Sequence, residues 1–258
     1  MSTPAPHGPD LVPEAPSGLR ERHRWALARL SASQKPPAVT PAYLRYVNRP
    51  LGGRIAAAAF AIRATPDQVT AASGSTALAA LLVTALVDSP GWALGVVVAV
   101  VLLVAYALDS ADGQLSRLRG GGSPAGEWLD HVVDCAKAIV LHGVVLVWAY
   151  RSSDDVPVWF LLVPLAFLLV DVTTTFGLML RDQLQRRRAD RVRVVGSASP
   201  VRSLALLPVD HACQCLVFAL LGSPSAFQWS YLALGALTAL FSGRALMRAF
   251  RTLRDAPA

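Results

Sequence analysis

Long uncharged runs alternate with short polar segments along most of the chain. Three of these runs contain no charged residue: 69–87, 91–108 and 224–243. Two more are nearly free of charge: 156–180 contains one aspartate, and 203–222 contains one aspartate and one histidine. Each run has the roughly 20 residues that a helix needs to cross ~30 Å of hydrocarbon, at about 1.5 Å per residue. The pattern predicts an all-α polytopic membrane protein.

One further run, 125–150, is as long as the others but contains Asp130, Asp134 and Lys137. Because the rest of this run is strongly apolar, we count it as a sixth transmembrane helix, the third in chain order. Residues 65–250 are therefore predicted to form a six-helix domain around a polar cavity that opens to the cytoplasm.

The segments outside this domain differ in composition. Residues 1–39 are rich in proline and arginine and predict a disordered or basic N-terminal tail, in which residues 20–30 favour a short basic helix. Residues 40–64 mix large apolar side chains with arginines, which predicts a juxtamembrane amphipathic helix in the headgroup layer. Residues 251–258 predict a short C-terminal tail.

The placement of lysine and arginine predicts the orientation. The chain has 24 Lys and Arg against 17 Asp and Glu, a formal net charge of +7. All of the basic residues except Lys137 and Arg151 lie before the first predicted helix, between helices two and three, between helices four and five, or after helix six. Basic segments favour the cytoplasmic side, so we expect a cell-membrane protein with both termini in the cytoplasm. The predominance of arginine over lysine suggests a bacterial source. Basic residues on loops beside membrane helices do not indicate nucleic-acid binding.

Four aspartates lie at the adjoining ends of predicted helices two and three. Asp109 and Asp112 are three residues apart, and Asp130 and Asp134 are four apart. Either spacing places both side chains on one face of an α-helix. The segment between the helices is short, so the helices are expected to be antiparallel neighbours. The four carboxylates should therefore face each other at a similar depth.

Four carboxylates this close repel one another unless a cation neutralises them. Oxygen ligands favour Mg²⁺ or Mn²⁺ over Zn²⁺, and two such ions form the usual clamp for displacement at phosphorus. Gly113 and Gly126 leave room for a bulky ligand beside the backbone, and Arg117 suits a pyrophosphate. The pattern predicts a centre with two divalent ions for phosphate chemistry.

The same segment resembles a known family signature. The signature D-x2-D-G-x2-A-R-x8-G-x3-D-x3-D of the CDP-alcohol phosphotransferases (CDP-alcohol phosphatidyltransferases) is matched, spacing for spacing, at Asp109, Asp112, Gly113, Ser116, Arg117, Gly126, Asp130 and Asp134. The one departure is Ser116, where the family has alanine. The stretch TPDQVT, residues 65–70, is similar to the TPNxVT that opens the first helix in many members, with Asp67 replacing asparagine. The resemblance covers roughly residues 40 to 250.

The resemblance implies transfer of a substituted phosphate from a CDP-alcohol to an acceptor alcohol, with release of CMP. It implies that Asp109, Asp112 and Asp130 are metal ligands. Asp134 would be the general base, and we expect it also to bind the second ion. The CDP-binding set that it implies is Asp112, Gly113, Ser116, Arg117 and Gly126.

The donor and acceptor stay open at this point. CDP-diacylglycerol is the favoured donor because the cavity lies beside membrane lipid, which predicts an enzyme of phospholipid biosynthesis. The alternative is a CDP-polyol such as CDP-inositol. Members of the family are often homodimers. Two other classes compete with the enzyme: an ion or proton transporter, because intramembrane carboxylates often mark such pathways, and a catalytically inactive assembly partner.

Other polar residues have two interpretations each. Asp171, with residues 173–175, either lines the acceptor pocket or makes an interhelical hydrogen bond. The arginine-rich segment 181–193 is either a solvated cytoplasmic face or supplies Arg181, or Arg202 beyond it, to bind a phosphate on the acceptor.

The fifth predicted helix contains a polar pair, Asp210 and His211. Local polar contacts between helices are the favoured interpretation, and a catalytic role is the alternative. The three cysteines, Cys135, Cys213 and Cys215, lie inside predicted helices and are interpreted as small buried apolar residues.

Overall fold

The computed structural model describes residues 16–32, 40–88, 90–152, 154–187, 203 and 209–255. Within this part of the chain every regular element is helical. The α-helices in chain order are α1 (Leu19–Ala32), α2 (Arg49–Ala61), α3 (Pro66–Leu86), α4 (Trp92–Leu118), α5 (Pro124–Arg151), α6 (Leu162–Arg187), α7 (His211–Val217) and α8 (Pro224–Arg254). A π-helical turn, Leu44–Asn48, precedes α2. Short 3₁₀ segments, Val158–Leu161 and Phe218–Leu220, precede α6 and follow α7.

Five of the described helices are long and apolar enough to cross a membrane: α3, α4, α5, α8 and the combined span Val158–Gln185. These five correspond to five of the six predicted runs. In the remaining run, 203–222, the described helix is too short to cross a membrane, because α7 begins only at His211. Asp210 starts this helix by accepting a hydrogen bond from the backbone N–H of Ala212. Residues 204–208 lie outside the described residues, and the sixth membrane span stays a prediction.

The main apolar core lies toward the end of the bundle where α3 and α5 finish. Its largest buried side chains include Phe160, Phe218, Phe227 and Tyr231, which contact one another ring to ring. Aromatic side chains bury large areas and pack edge to face or offset. The polar side chains discussed below lie toward the other end.

The helix predicted at residues 40–64 is a π-helical turn joined to α2. Small side chains of α2 face α4: Ala56 and Ala57 are fully buried. A Cβ atom at Gly52 would lie 2.9 Å from the side chain of Ser110 on α4. Small residues allow helix backbones to approach this closely. Part of α2 is therefore covered by protein, and its location in the headgroup layer stays a prediction.

The basic segment at residues 20–30 is helical, as expected, and it packs on α2. Ala26 and Leu30 of α1 are buried in an apolar cluster that includes Val69 of α3 and Leu115 of α4. Residues 1–15 and 33–39 of the predicted tail lie outside the described residues.

Two arginines hold the C-terminal end of α2. Arg22 of α1 donates a hydrogen bond to the carbonyl of Phe60 (2.7 Å), and Arg119 donates one to the carbonyl of Ala64 (2.6 Å). Both guanidinium groups also lie over the Phe60 ring, at 5.6 and 6.0 Å from its centroid. The arginines thus satisfy carbonyls at and just after the helix end, and their charge complements the negative end of the helix dipole.

The start of α3 has a complete capping box. The Thr65 hydroxyl accepts from the backbone N–H of Gln68, and the Gln68 side chain accepts from the N–H of Thr65. This reciprocal pair satisfies two backbone donors that a helix start otherwise leaves free. It defines where α3 begins, beside the end of α4.

A tight turn joins α4 to α5. Gly120 and Gly121 have φ values of 96° and 128°, a conformation that side chains other than glycine rarely adopt. Ser123 then caps α5 by accepting from the N–H of Gly126 (3.0 Å), and Pro124 occupies the first turn. The turn places the end of α4 and the start of α5 side by side, as the sequence predicts.

Candidate functional site

Three of the four predicted aspartates converge between α4 and α5. Asp109, Asp112 and Asp130 each offer one carboxylate oxygen, and these three oxygens lie within 4.8 Å of one another. We call these residues the aspartate trio. Hard anionic oxygens at this separation fit a divalent cation such as Mg²⁺ or Mn²⁺.

The Asp112 carboxylate is fixed by hydrogen bonds to both of its oxygens. The hydroxyl of Thr70 on α3 donates to Oδ2 (2.6 Å), and the backbone N–H of Gly113 donates to Oδ1 (2.5 Å). Thr70 and Asp112 are both buried. Groups that orient a ligand in this way tune its affinity for metal. The sequence signal for Thr70 was its position in the TPDQVT stretch, but its role in holding Asp112 was not predicted.

The fourth aspartate, Asp134, is not part of the aspartate trio. Asp134 forms an ion pair with Lys137, which lies three residues further along α5, with 2.7 Å between Oδ1 and Nζ. Lys137 also pairs with Asp109 of α4 and donates to the hydroxyl of Ser73 on α3 (3.3 Å). Lys137 therefore links all three helices. The only sequence signal for this role was its three-residue spacing from Asp134.

A cavity of about 390 Å³ lies between the start of α3, the end of α4 and the start of α5. We call it the glycine cavity, because Gly113, Gly121, Gly122 and Gly126 line it. Its wall contains the complete set of residues predicted to bind CDP, which are Asp112, Gly113, Ser116, Arg117 and Gly126. The structure therefore brings together all five, although they come from two helices.

The glycine cavity combines limited space with positive charge. A Cβ atom at Gly126 would lie 3.1 Å from the carboxylate of Asp67, so a larger residue there would narrow the cavity. Arg117 lies on the wall and is exposed. Burial lowers the pKa of the nearby Arg49 guanidinium, and the positive charge of Arg117 lowers that pKa further. Arginine stays protonated in proteins, so the two like charges provide a favourable place for an anion.

A second cavity, of about 360 Å³, lies on the other side of the aspartates, among α4, α5, α6 and α7. We call it the lysine cavity, because Lys137 lines it together with Asp109 and Asp134. The glycine cavity is lined by Asp112 and Asp130. The four aspartates thus stand between two cavities, two on each side.

Asp171 makes the interhelical hydrogen bond that was one of its two interpretations, and its role in an acceptor pocket stays a prediction. It lines the lysine cavity, and its carboxylate also accepts an interhelical hydrogen bond from Gln214 (3.5 Å) and lies 3.2 Å from Nε2 of His142. His142 is buried on α5, with Nδ1 against the hydroxyl of Tyr231 on α8. This buried histidine was not predicted to have a role.

Asp210 is a structural contact, which was the favoured interpretation. Besides capping α7, it accepts hydrogen bonds from the backbone N–H of Leu44 (2.9 Å) and the hydroxyl of Tyr106 (3.3 Å). Its neighbour His211 lines the lysine cavity, with Nδ1 at 3.0 Å from the side-chain oxygen of Gln214.

The remaining predictions concern arginines and cysteines. Arg181 pairs with the adjacent Asp182. Residues 188–193 and Arg202 lie outside the described residues, so phosphate binding there stays a prediction. Among the described residues the three cysteines form no disulfide; Cys215 is completely buried, and the other two are partly exposed.

A family model described as CDP-alcohol phosphatidyltransferase matches residues 63–241, which include α3, α4, α5 and the walls of both cavities. The chain belongs to this family. A CDP-alcohol phosphatidyltransferase transfers a phosphate-linked group from a CDP-alcohol to an alcohol, in agreement with the expectation from the signature. The helices α1 and α2 precede the matched range. A search of curated proteins found no match to the chain.

The hydrogen bond from Thr70 to Asp112 gives a first test of the candidate metal site in this member of the CDP-alcohol phosphatidyltransferase family. We expect Thr70→Val to weaken Mn²⁺ binding by about 10- to 100-fold, because the Asp112 carboxylate loses the donor that orients it. The affinity is measured by Mn²⁺ titration with electron paramagnetic resonance on protein in detergent.

Thr84→Val is the matched control for this change. Thr84 is also buried on α3, but its hydroxyl donates only to the carbonyl of Ala80 in its own helix. Equal Mn²⁺ affinities for the two variants would show that Thr70 does not act through the metal site.

Proposed function

We propose that this protein transfers a phosphatidyl group from CDP-diacylglycerol to a small alcohol, with release of CMP, as a step of phospholipid biosynthesis. The observation that carries the proposal is the arrangement of two cavities on either side of the aspartates. A donor in the glycine cavity and an acceptor in the lysine cavity would meet at the carboxylates. Holding both reactants in place accounts for a large part of the rate of such transfers.

Each group of residues has one task in this proposal. Asp109, Asp112 and Asp130 would hold a divalent ion, Mg²⁺ or Mn²⁺. When bound, the ion stabilises negative charge on the phosphate oxygens. Arg117 contacts the pyrophosphate from the wall of the glycine cavity. Of the two ions expected from the sequence, the aspartate trio accounts for the first.

Asp134 lies on the wall of the lysine cavity, where the acceptor hydroxyl would enter. Its carboxylate accepts the hydroxyl proton as the acceptor oxygen attacks the phosphorus that carries the lipid. The new bond from oxygen to phosphorus forms while the bond from phosphorus to the CMP oxygen breaks. CMP departs with that bonding electron pair and leaves from the glycine cavity.

A lipid donor is supported by the location of the glycine cavity. Its walls are the ends of three helices that are apolar enough to span a membrane, so acyl chains of CDP-diacylglycerol would lie alongside them. The basic segments beside the same helix ends support a cytoplasmic location for both termini, in a cell membrane. A homodimer stays a prediction of the resemblance.

The proposal is tested with purified protein, Mg²⁺, CDP-diacylglycerol and a panel of acceptors: inositol phosphate, inositol, glycerol phosphate and serine. Mass spectrometry should find CMP and one phospholipid product in equal amounts, and no product when the metal is chelated. CMP release from CDP-inositol but not from CDP-diacylglycerol would show that the donor is a CDP-polyol. An ion flux in vesicles with no CMP from either donor would favour a transporter.

A further inference from the structure

Lys137 occupies a site formed by three oxygen atoms from three helices. Its ammonium group contacts Oδ1 of Asp109 on α4, Oδ1 of Asp134 on α5 (2.7 Å) and the hydroxyl of Ser73 on α3 (3.3 Å). An ammonium has three N–H donors and no acceptor, so each donor has one partner. Ser73 donates its own hydrogen to the carbonyl of Ala105 (2.9 Å), which leaves its oxygen free to accept from Lys137.

This site is partly closed from solvent. The Lys137 side chain is 15% exposed and that of Asp109 is 22% exposed. Carboxylates withdrawn from water need a compensating positive charge nearby. The short distance to Asp134 is typical of a charge-assisted hydrogen bond. Lys137 therefore provides Asp134 with a cation that belongs to the chain itself.

The same site is where a second divalent ion would have to bind. Asp134 is the one member of the four aspartates outside the aspartate trio, so a second ion would need its carboxylate. It would also need Asp109, which shares the Lys137 ammonium with Asp134. Mg²⁺ binds oxygen at about 2.0–2.1 Å. An ion that bridges these two carboxylates would therefore take the volume that Nζ of Lys137 fills.

We propose that the Lys137 ammonium replaces the second divalent ion, and that the centre holds a single divalent ion on the aspartate trio. This inference rests on the proposed function and changes its expected ion count from two to one. Lys137 is then a positioning residue: it holds Asp134 beside Asp109, at the wall of the lysine cavity. An ammonium group and a divalent ion repel strongly at contact distance, so the site accepts one of them and excludes the other.

The ion count of the purified protein tests this directly. Mn²⁺ is titrated into protein in detergent, and electron paramagnetic resonance distinguishes an isolated ion from a spin-coupled pair. The natural protein should bind one Mn²⁺ per chain, with the signal of an isolated ion. Lys137→Ala removes the ammonium and keeps the four aspartates, so it should bind two ions with a coupled signal.

Two further variants serve as matched controls. Lys137→Arg keeps a cation in the site and should bind one Mn²⁺. The double variant Lys137→Ala with Asp134→Asn removes a ligand of the new ion and should return the count from two to one. Two ions in the natural protein, or one ion in folded Lys137→Ala, would overturn the proposal.

If Lys137→Ala does not fold, the Mn²⁺ affinity of the Asp134→Asn variant tests the proposal instead. Because Asp134 is not a metal ligand in this proposal, this variant must keep one Mn²⁺ with an affinity within about threefold of the natural protein. A loss of tenfold or more would make Asp134 a ligand and overturn the proposal.

A CMP assay on the same samples separates this proposal from the proposed function. Two bound ions together with metal-dependent CMP release would overturn the single-ion centre and leave the transferase standing. The absence of CMP from any CDP-alcohol donor would overturn the proposed function, whatever the ion count. A natural protein that binds no Mn²⁺ would overturn both.

Discussion

Asp112→Asn is expected to lower CMP release by roughly 10³-fold or more and to remove Mn²⁺ binding at the aspartate trio. The change keeps the shape of the side chain but removes its negative charge and replaces one oxygen with an NH₂ group, which cannot bind a cation. A bound metal contributes several kcal/mol to transition-state stabilisation, and each 1.36 kcal/mol corresponds to a factor of ten in rate. Steady-state CMP release and Mn²⁺ titration are measured on the same preparation.

Asp88→Asn is the matched control for this loss. Asp88 follows α3 at the opposite end of the bundle, where its side chain is 84% exposed and pairs with Arg151. The control should retain the rate and the Mn²⁺ affinity of the natural protein. An Asp112→Asn variant that keeps full Mn²⁺ affinity would contradict the assignment of the aspartate trio as the metal site.

Asp134→Asn is expected to show a different combination of effects. The rate constant for transfer should fall by about 10² to 10⁴-fold, because an amide cannot accept the proton of the acceptor hydroxyl. Mn²⁺ binding should persist, because Asp134 lies outside the aspartate trio. The measurement is single-turnover transfer at saturating donor and acceptor, with the ion count determined in parallel.

Asp182→Asn provides the comparison for this variant. Asp182 is a half-exposed carboxylate on α6 that pairs only with its neighbour Arg181 among the described residues, so its removal should leave the rate unchanged. Transfer in Asp134→Asn within a few fold of the natural rate would exclude Asp134 as the base. Asp112→Asn should lose both the rate and the metal, whereas Asp134→Asn should lose the rate and keep the metal. This difference would separate metal binding from proton transfer.

The parts of the site that could be predicted depend on local geometry. Asp109 and Asp112 share a face because they are three residues apart on one helix, and Asp130 and Asp134 because they are four apart. The short connection with Gly120 and Gly121 makes the two helices neighbours whatever surrounds them. The residue spacing and the short turn were sufficient to predict that the aspartates lie close together and that the five predicted CDP-binding residues share one site.

The parts that could not be predicted depend on how one helix is rotated against another. Lys137 reaches Ser73 and Asp109, which are 64 and 28 positions away along the chain, and Thr70 reaches Asp112 across 42 positions. The periodicity within one helix does not predict which faces of α3 and α4 pack against each other. For this reason the sequence predicts all four aspartates around metal but gives no sign that Lys137 pairs with two of them, Asp109 and Asp134.

Helix limits were also incompletely predicted from hydropathy. The run 203–222 has the composition of a membrane span, but hydropathy does not register that Asp210 caps a new helix at His211. Similarly, α2 was expected to contact lipid headgroups through its large side chains. Its alanines and glycines carry little hydrophobic signal, yet they allow the close contact with α4.

The arginine pair at the end of α2 bears on how the enzyme can be shortened or tagged. Arg119 lines the glycine cavity and donates to the carbonyl of Ala64, and Arg22 of α1 donates to the carbonyl of Phe60; both guanidinium groups lie over the Phe60 ring. Removing the residues before 40 would uncover that ring and remove one of the two arginine hydrogen bonds, next to the residue that lines the glycine cavity. A minimal active version should therefore begin no later than Leu19, and a cleavable fusion partner belongs upstream of that helix.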